Sequence, residues 1–308
     1  MNINVSLMGG LGNQLFQLSF ALSLAKEDSV NLIPILGNSR RNSRGEVEIA
    51  SFILPDGIRI QEDSVLNSRI ISAGLSRGLR AASTKRNGFL IGAIEKAIPI
   101  LSGRILQKIS FARGVGSTVR EVHDQSILYI GYFQSHKFTS DFEVFAKLMN
   151  LSPKLSNPAL DLSIREVTGS RPILLHVRLT DYLMEGSFGL PDKFYYREAI
   201  ELASKTCGNV EIWIFSDDPK NALNFLPAEF AHRYRLAPVF EETVHNFELM
   251  RYFAGFIIAN SSFSWWAAHL RKNRDAPVIH PWPWFRQGLH DRKDLVPEAW
   301  VSLPSGLA

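Results

Sequence analysis

Short aliphatic runs alternate with segments of helical periodicity from residue 173 to residue 281. Four of these runs have the length and composition of buried strands: ILLHV (173–177), VEIWIF (210–215), FIIAN (256–260) and PVIHP (277–281). Strands that are joined through a helix run parallel, because the crossover returns the chain to the same end of the sheet. The pattern therefore predicts an α/β fold with a parallel sheet here, with PVIHP as its last strand.

The N-terminal half begins with the same pattern. INVSLM (3–8) is predicted to be a strand, the glycine turn GGLGN follows it, and the next fourteen residues have helical periodicity. This order is typical of a Rossmann-like domain. Further predictions in this half are a strand at 31–36, a helical stretch at 88–111 that Pro99 interrupts, and a strand at 126–133.

The length of 308 residues favours two domains. Residues 152–172 contain three prolines and many small polar residues, so we place the boundary there and predict domains 1–155 and 156–308. The N-terminus has no basic segment followed by a long apolar one, and no run is apolar enough to span a bilayer. With a single cysteine, Cys207, these features predict a cytoplasmic protein.

Charge is distributed unevenly along the chain. The net charge of +4 is too small to indicate nucleic-acid binding, but residues 69–120 contain ten Lys and Arg and one acid, Glu95. One interpretation is a solvated basic face. The other is a surface that contacts something anionic, such as the inner face of a membrane or a lipid pyrophosphate.

The motif HVRLTDY (176–182) follows a strand of aliphatic residues, so Arg178 should emerge at the carboxyl end of that strand. A guanidinium can hold two phosphate oxygens at once and suits a pyrophosphate whose charge grows as it leaves. Asp181 could orient Arg178 or bind a sugar hydroxyl, and His176 alternates with Arg178 to the same side. The alternative is a surface Arg–Asp ion pair beside a core histidine.

Two further strands also end in polar residues. Asp217 and Asp218 in IFSDDP (214–219) could contact a guanine edge or ribose hydroxyls, although Asp218 is also placed to cap a helix and a paired acid can hold a metal. In the second stretch, hydroxyls, an amide and backbone N–H groups come together at a predicted helix start and could cradle an anion, at Asn260, Ser261, Ser262 and Ser264. The plainer interpretation is a serine cap followed by core residues Trp265 and Trp266.

The turn MGGLGNQ (8–14) lacks the third glycine of the dinucleotide fingerprint and is weak evidence alone. Its glycines would let the backbone approach a ligand closely, or would simply make a tight turn. The sequence has no GxxxxGK[ST], no GxSxG and no histidine pair at metal-ligand spacing. Phosphate-loop nucleotidases and serine hydrolases are therefore disfavoured.

Together these stretches resemble the α-1,2-fucosyltransferase family, most closely its bacterial members. The resemblance is spread over the chain in family order, in MGGLGNQLFQ (8–17), GYFQSHKF (131–138), HVRLTDY (176–182), LPDKFYYREAI (190–200), FSDDP (215–219), FELMRYFAGFIIANSSFSWWAAHL (247–270) and VIHPWPWF (278–285). It implies a GT-B fold, with two Rossmann-like domains facing a cleft. It also implies inverting transfer of fucose from GDP-fucose to the 2-hydroxyl of an acceptor sugar, often galactose, without metal or cofactor.

The resemblance also implies roles for individual residues. Arg178 would serve the donor diphosphate, and the cluster of Asn260, Ser261, Ser262 and Ser264 would line it. Four residues of the glycine turn would face the cleft from the N-terminal side and contribute to donor binding: Gly10, Gly12, Asn13 and Gln14. The acceptor would be a glycan, and a lipid-linked polysaccharide repeat is suggested by the basic stretch.

The chain departs from the family at two positions of its central motif. The family usually has HxRRGDY, whereas Leu179 and Thr180 stand here in place of the second arginine and the glycine. A different nucleotide-sugar donor therefore remains an alternative, and a non-enzymatic glycan-binding module is a more distant one. Asp181 is a candidate general base, although a carboxylate beside Arg178 would be weakly basic. Late proton loss to phosphate or water is the alternative.

Overall fold

The computed structural model describes residues 2–25, 29–35, 47–61, 74–75, 77–78, 88–101, 108–111, 127–180, 189–286 and 294–306. The chain divides into two compact units. The N-terminal unit comprises Met1–Ser152 and Arg292–Val296, and the C-terminal unit comprises Pro153–Asp291 and Pro297–Ala308.

The described part of the N-terminal unit contains a parallel sheet in the order β3-β2-β1-β5-β4. Its strands are β1 (Asn2–Leu7), β2 (Ser29–Pro34), β3 (Ile58–Ile60), β4 (Lys108–Phe111) and β5 (Ile127–Ile130). Its helices are α1 (Leu11–Ala25), α2 (Gly88–Leu101) and α3 (Phe142–Met149), with 3-10 turns at Glu48–Ser51 and His136–Thr139. All four residues of β5 are buried, as expected for a strand with neighbours on both sides.

Two details of this unit correct the sequence analysis. The prediction of a helix up to residue 111 was wrong at its end, because Lys108–Phe111 pairs with Ile127–Ile130 as a parallel strand. Lys, Ile, Ser and Phe alternate there with the period of a strand, which a long helical window averages away. The predicted break at Pro99 lies inside α2, which ends two residues later at Leu101. The short strand β3 was not predicted.

The C-terminal unit contains a parallel sheet in the order β11-β10-β9-β6-β7-β8. The strands are β6 (Ile173–Val177), β7 (Ile212–Ser216), β8 (Tyr234–Leu236), β9 (Gly255–Ile257), β10 (Val278–Trp282) and β11 (Val301–Pro304). The helices are α4 (Pro158–Ser170), α5 (Lys193–Cys207), α6 (Pro219–Ala222), α7 (Thr243–Met250) and α8 (Ser262–His269), with 3-10 turns at Leu223–Phe225 and Ala228–Arg233. Read from β8 to β11, the sheet has the doubly wound strand order 3-2-1-4-5-6.

The proline-rich stretch around the predicted domain boundary contains a helix that the sequence analysis missed. Asn157 caps α4 by accepting hydrogen bonds from the N–H groups of Ala159 and Leu160, and Pro158 occupies the first turn, where its missing N–H costs nothing. Arg171 ends the helix with φ of 51°. The strand β11 also corrects the prediction that PVIHP is the last strand, and β8 was not predicted.

The C-terminal sheet has a topological switch point between β6 and β9, because the chain crosses from β6 to β7 on one side and from β9 to β10 on the other. In the N-terminal sheet β1 lies beside β5, which is the last of the described strands of that sheet. Ligands of open α/β sheets bind beyond the carboxyl ends of the strands at a switch point. Two α/β units with parallel sheets confirm the predicted fold class. In the C-terminal unit, the loops after β6 and β9 are where a ligand is expected to bind.

Candidate active site

Arg178 directly follows β6, as the sequence predicts, and its side chain is 30% exposed. The residues after the neighbouring strand β9 lead through Asn260 into α8. These two loops therefore flank the switch point of the C-terminal unit. His176 lies two residues before Arg178 and is 4% exposed. Its ring centroid lies 6.4 Å from that of Phe263 in α8.

Asp217, at the end of β7, bonds to three consecutive residues of the loop after β6. Its Oδ1 accepts a hydrogen bond from the N–H of Leu179 at 2.8 Å, and its Oδ2 accepts one from the N–H of Thr180 at 3.0 Å. The hydroxyl of Thr180 donates to the same Oδ2, which also lies 3.3 Å from Nε of Arg178. Asp217 therefore makes the contact with Arg178 that the sequence suggested for Asp181, a residue outside the described part of the chain.

The surroundings of Asp217 favour its ionised form. Burial by itself would raise the pKa of this carboxyl, but the Arg178 guanidinium, the Thr180 hydroxyl and the two backbone N–H groups lower it below its ordinary value. The carboxylate is therefore charged throughout the neutral range and partly compensates the charge of Arg178. The pairing of β6 with β7 brings these groups together.

Asp218 occupies the capping position of α6. Its Oδ1 accepts a hydrogen bond from the N–H of Asn221 at 3.3 Å, and its Oδ2 accepts one from Nδ2 of the same residue at 2.7 Å. The structure thus shows the capping role that the sequence analysis kept as an alternative.

The two positions at which the chain departs from the HxRRGDY pattern differ in burial, since Leu179 is buried and Thr180 is exposed. Leu179 is 1% exposed and belongs to the hydrophobic cluster that contains Val177 and Ile214. The hydroxyl of Thr180 is directed at Asp217. Position 179 can hold an apolar residue because this side chain packs in the core and does not lie on the outer surface of the loop.

The polar groups of residues 260–264, which lead from β9 into the first turn of α8, serve different purposes. Asn260 is 1% exposed and its Nδ2 donates to the carbonyls of Gly189 and Trp284 at 3.3 and 3.1 Å. Ser264 is buried and its hydroxyl donates to the carbonyl of Ser261 at 3.3 Å. Ser262 is only half-buried. Of these predicted phosphate residues, Asn260 and Ser264 hold the turn in shape.

Trp265 and Trp266 confirm the plainer interpretation of the tryptophan pair. Both are fully buried, and Trp265 stacks on His269 at 4.7 Å between ring centroids. The bulky core-facing side of α8 fixes the helix, so that its N-terminus lies at the end of β9.

The glycine turn of the N-terminal unit is held by its own polar side chains. Gln14 is 2% exposed, and its amide accepts a hydrogen bond from the N–H of Ile49 and donates one to the carbonyl of Gly9, both at 2.9 Å. Asn13 accepts a hydrogen bond from Nε2 of Gln134 at 2.8 Å, which joins the loops after β1 and β5. Gly12 is buried, whereas Gly10 is exposed. Gln14 therefore has a structural role here.

The N-termini of α1 and α8 differ in charge although each helix follows a central strand of its sheet. In α1 the N–H of Leu11 donates to Oε2 of Glu48 at 2.5 Å, so a carboxylate already occupies that position. In α8 the N-cap residue Ser261 makes no side-chain capping bond, and the first N–H groups of the helix, beginning at Ser262, follow it. A helix N-terminus attracts anions, and a resident carboxylate repels them. A phosphate is therefore favoured at α8 and disfavoured at α1.

Glu48 was missed by the sequence analysis. It lies 37 residues from Leu11, and nothing in its own sequence surroundings indicates that it would cap a helix that far away. Gln134 lies in the GYFQSHKF block, which carried a family signal but no assigned role.

Three other predictions concern metal, membrane and the basic stretch. Among the described residues, no group of three or more His, Cys, Asp or Glu side chains is placed to hold a metal ion. In the same part of the chain, no helix combines the length and apolarity needed to cross a bilayer. Most of the basic residues of 69–120 lie outside the described residues; Arg77 and Lys96 are described and exposed.

Comparisons with known proteins place these features in context. The chain is 26% identical to an alpha-1,2-colitosyltransferase of Escherichia coli, over 96% of this chain and 97% of that protein. It is 24% identical to the O-antigen biosynthesis glycosyltransferase WbnK of Escherichia coli, over 96% and 99%.

Solved structures of transferases are similar at a lower level. ADP-heptose lps heptosyltransferase II of E. coli has a TM-score of 0.47 at 12% identity, covering 98% of this chain and 90% of that chain. The fucosyltransferase NodZ from Bradyrhizobium has a TM-score of 0.46 at 14% identity, covering 88% and 92%.

The sequence also matches the glycosyl transferase family 11 model over residues 2–303, which includes both units and every motif described above. This protein is therefore a member of glycosyl transferase family 11.

Proposed function

We propose that this glycosyltransferase moves L-fucose from GDP-fucose to the 2-hydroxyl of an acceptor sugar, with inversion at the anomeric carbon. The observation that carries the proposal is the position of Arg178 and of the N-terminus of α8 on adjacent loops, at the switch point of the C-terminal unit. The N-cap residue of α8 makes no side-chain capping bond. One positive side chain and one positive helix end suit a diphosphate leaving group. In this proposal the C-terminal unit binds the donor and the N-terminal unit serves the acceptor.

The reaction is a single displacement. The acceptor oxygen forms a bond to the anomeric carbon of fucose, the bond from that carbon to the diphosphate oxygen breaks, and GDP leaves with the electron pair. Negative charge grows on the diphosphate in the transition state, where Arg178 and the N–H groups from Ser262 onwards stabilise it. Donors placed in this way are worth about 10²–10³-fold each in kcat.

The hydroxyl proton of the acceptor must also be removed. Asp181 is our candidate for this general base, and it directly follows the segment that Asp217 anchors. A carboxylate that pairs with a guanidinium is a weak base. Because Asp217 pairs with Arg178, Asp181 can be a stronger base than the sequence alone suggests. Asp181 does not need to orient Arg178 in this arrangement.

A colitosyl donor is the second candidate, because the chain resembles an alpha-1,2-colitosyltransferase over nearly its whole length. Colitose lacks the 3-hydroxyl of fucose but is otherwise the same sugar. A site that hydrogen-bonds this hydroxyl would reject colitose by about 10⁴–10⁵-fold, whereas a site that leaves it in solvent would accept both. Another nucleotide sugar remains the alternative, and fucose is favoured over it because Leu179 is a core residue and the Thr180 hydroxyl bonds to Asp217. Membership of a glycosyltransferase family argues against a glycan-binding module.

The test is a donor panel with purified protein and a galactoside acceptor. GDP-fucose, GDP-colitose, GDP-mannose and UDP-galactose are compared for hydrolysis and transfer, with and without EDTA. We expect turnover of GDP-fucose, reduced roughly 10²–10³-fold in Arg178→Ala. The matched control is Arg197→Ala, an exposed arginine of the same unit that pairs with Glu229, and it should stay close to wild type. Turnover of GDP-colitose alone would replace the donor sugar, and activity that EDTA abolishes would overturn the metal-free mechanism.

We also propose that the acceptor is a polysaccharide repeat on a lipid carrier and that the basic residues of 69–120 contact the membrane that holds it. The support is the relative in O-antigen biosynthesis and the charge of this stretch. Sedimentation with anionic vesicles tests it. Charge reversal at the exposed residues Arg77 and Lys96 should weaken vesicle binding several-fold, and unchanged binding would end this part of the proposal.

A further inference from the structure

The carboxylate of Asp217, which follows β7, bonds to three successive residues of the loop after the neighbouring strand β6. It accepts hydrogen bonds from the backbone N–H groups of Leu179 and Thr180 and from the Thr180 hydroxyl, and it pairs with Nε of Arg178. The residues lie 37 to 38 positions apart in sequence. Such a set of contacts determines the path of the chain immediately after Arg178.

The contacts are divided unevenly between the two carboxylate oxygens. Oδ1 accepts the hydrogen bond from the N–H of Leu179, whereas the N–H and hydroxyl of Thr180 and Nε of Arg178 all meet Oδ2. Each oxygen of an ionised carboxylate offers about two lone pairs, so Oδ2 is saturated and Oδ1 can accept one further hydrogen bond. The nucleotide contact that the sequence suggested for Asp217 therefore stays a prediction that involves Oδ1 alone.

We propose that Asp217 is a positioning residue, which holds the Arg178 guanidinium and the loop of Leu179 and Thr180 in the orientation needed to receive the donor diphosphate. The inference rests on the proposed role of Arg178 in donor binding. A guanidinium is planar and its hydrogen bonds are directional, so a carboxylate at Nε fixes the plane in which the other two nitrogens lie. Preorganisation of this kind spares the transition state the cost of ordering the group.

Thr180 contributes to the same arrangement. Its hydroxyl is the one side-chain donor on Asp217 besides Arg178 among the contacts given above, and a glycine at this position would have none. The threonine therefore adds a bond that ties the loop to Asp217. Thr180, which stands in place of the glycine of the HxRRGDY pattern, acts in this proposal as a second anchor for Arg178 through Asp217. It does not act as a group that contacts the donor.

A double-mutant cycle between Asp217 and Arg178 tests the inference. Asp217→Asn keeps the size of the side chain but removes its charge and exchanges one acceptor for a donor. We expect kcat to fall about ten- to a hundredfold in the wild-type background, with a smaller change in KM. In the Arg178→Ala background the same substitution should have little further effect, because Asp217 acts through Arg178.

Thr180 supplies an independent arm and Glu166 a control. Thr180→Val should lower kcat several-fold, and Thr180→Ser should recover most of that loss because it restores the hydroxyl. Glu166→Gln, the same carboxylate-to-amide change at an exposed ion pair of this unit, should leave kcat unaltered. Circular dichroism and thermal unfolding of each variant show whether it is folded.

The measurements use whichever nucleotide sugar the wild-type enzyme turns over, so an error in the proposed donor sugar does not affect the cycle. Equal loss from Asp217→Asn in both backgrounds would overturn the positioning role, since it would show that Asp217 acts independently of Arg178. An Arg178→Ala variant with wild-type kcat would instead contradict the proposed function itself. The two failures are therefore distinguishable.

Discussion

Single buried polar residues make the stability of this protein depend on pH, and His280 is an example. It lies on β10, is 3% exposed, and its Nδ1 is 3.1 Å from the carbonyl oxygen of Pro281. Burial lowers the pKa of His280 to about 4, against an opposing effect of that hydrogen bond. The imidazole is therefore neutral in the folded protein at every pH at which the enzyme would be assayed.

Acid should destabilise the protein through His280. The unfolded histidine takes up a proton near pH 6.5 but the folded one only near pH 4, so between these values the unfolded state binds more protons. Stability from this residue is complete above pH 6.5 and is lost as the pH falls towards 4. The loss between pH 7 and pH 5 is about 2 kcal/mol.

Urea unfolding of His280→Gln at pH 7 and pH 5 measures this effect against His232→Gln, a change at an exposed histidine. The His280 variant should lose less stability than wild type over this interval, and the His232 variant should lose as much. Identical pH dependence in all three proteins would refute the assignment.

At the scale of elements, an arginine joins the ends of two helices in the C-terminal unit. Arg251 follows α7, is fully buried, and donates from Nε to the carbonyl of Leu270 at the end of α8, at 2.9 Å. Its Nη1 donates to Glu248 at 2.6 Å, and Glu248 also accepts a hydrogen bond from the hydroxyl of Tyr252 at 3.0 Å. The hydrogen bond to Leu270 links α7 to α8, the helix whose N-terminus lies at the candidate site, and the ion pair with Glu248 holds the Arg251 side chain in place for it.

Removing the acid of this pair should be costly because Arg251 would stay buried without the charge of Glu248. We expect Glu248→Gln to lower the free energy of unfolding by roughly 3–5 kcal/mol. Glu166→Gln, which breaks the exposed pair with Arg235, should cost less than about 1 kcal/mol. Denaturant unfolding of both variants provides the measurement. A loss from Glu248→Gln no larger than that from Glu166→Gln would mean that the buried pair does not stabilise the two helices.

At the scale of the whole molecule, the C-terminal residues contribute to both units. The carbonyl of Asp294 accepts hydrogen bonds from the N–H of His136 at 2.9 Å and from the hydroxyl of Ser135 at 3.0 Å, within the N-terminal unit. The chain then returns to the C-terminal unit, where β11 pairs with β10. The chain thus passes between the units twice after residue 281, where the last predicted strand ends, and neither passage was predicted.

The difference between the N-termini of α1 and α8 predicts in which unit a bound nucleotide slows hydrogen exchange. With GDP added, hydrogen exchange should slow at the N–H groups of Ser262, Phe263 and Ser264, because phosphate oxygens bind there. The N–H of Leu11 should be unaffected, since Glu48 already accepts its hydrogen bond. Protection at Leu11 without protection at residues 262–264 would contradict the proposal that the C-terminal unit binds the donor.

The sequence analysis was accurate where the signal was local. Strands β6, β7, β9 and β10 were predicted close to their observed bounds, because each is a run of aliphatic residues between turn-forming ones. It failed where a local pattern was ambiguous or short, as at β4, β8 and β11. It also missed α4, because proline and asparagine were interpreted as loop residues although they formed the cap and first turn of a helix.

The sequence by itself determined the α/β class, the order of the motifs and the position of Arg178 at a strand end, because these follow from periodicities within a few residues. Only the tertiary structure decided that Asp217 is the acid facing Arg178, that Leu179 is a core residue, and that Glu48 caps α1. These contacts depend on which strands are neighbours and on how distant loops meet. Strand order and loop contacts follow from the packing of the whole sheet, which no short stretch of sequence encodes.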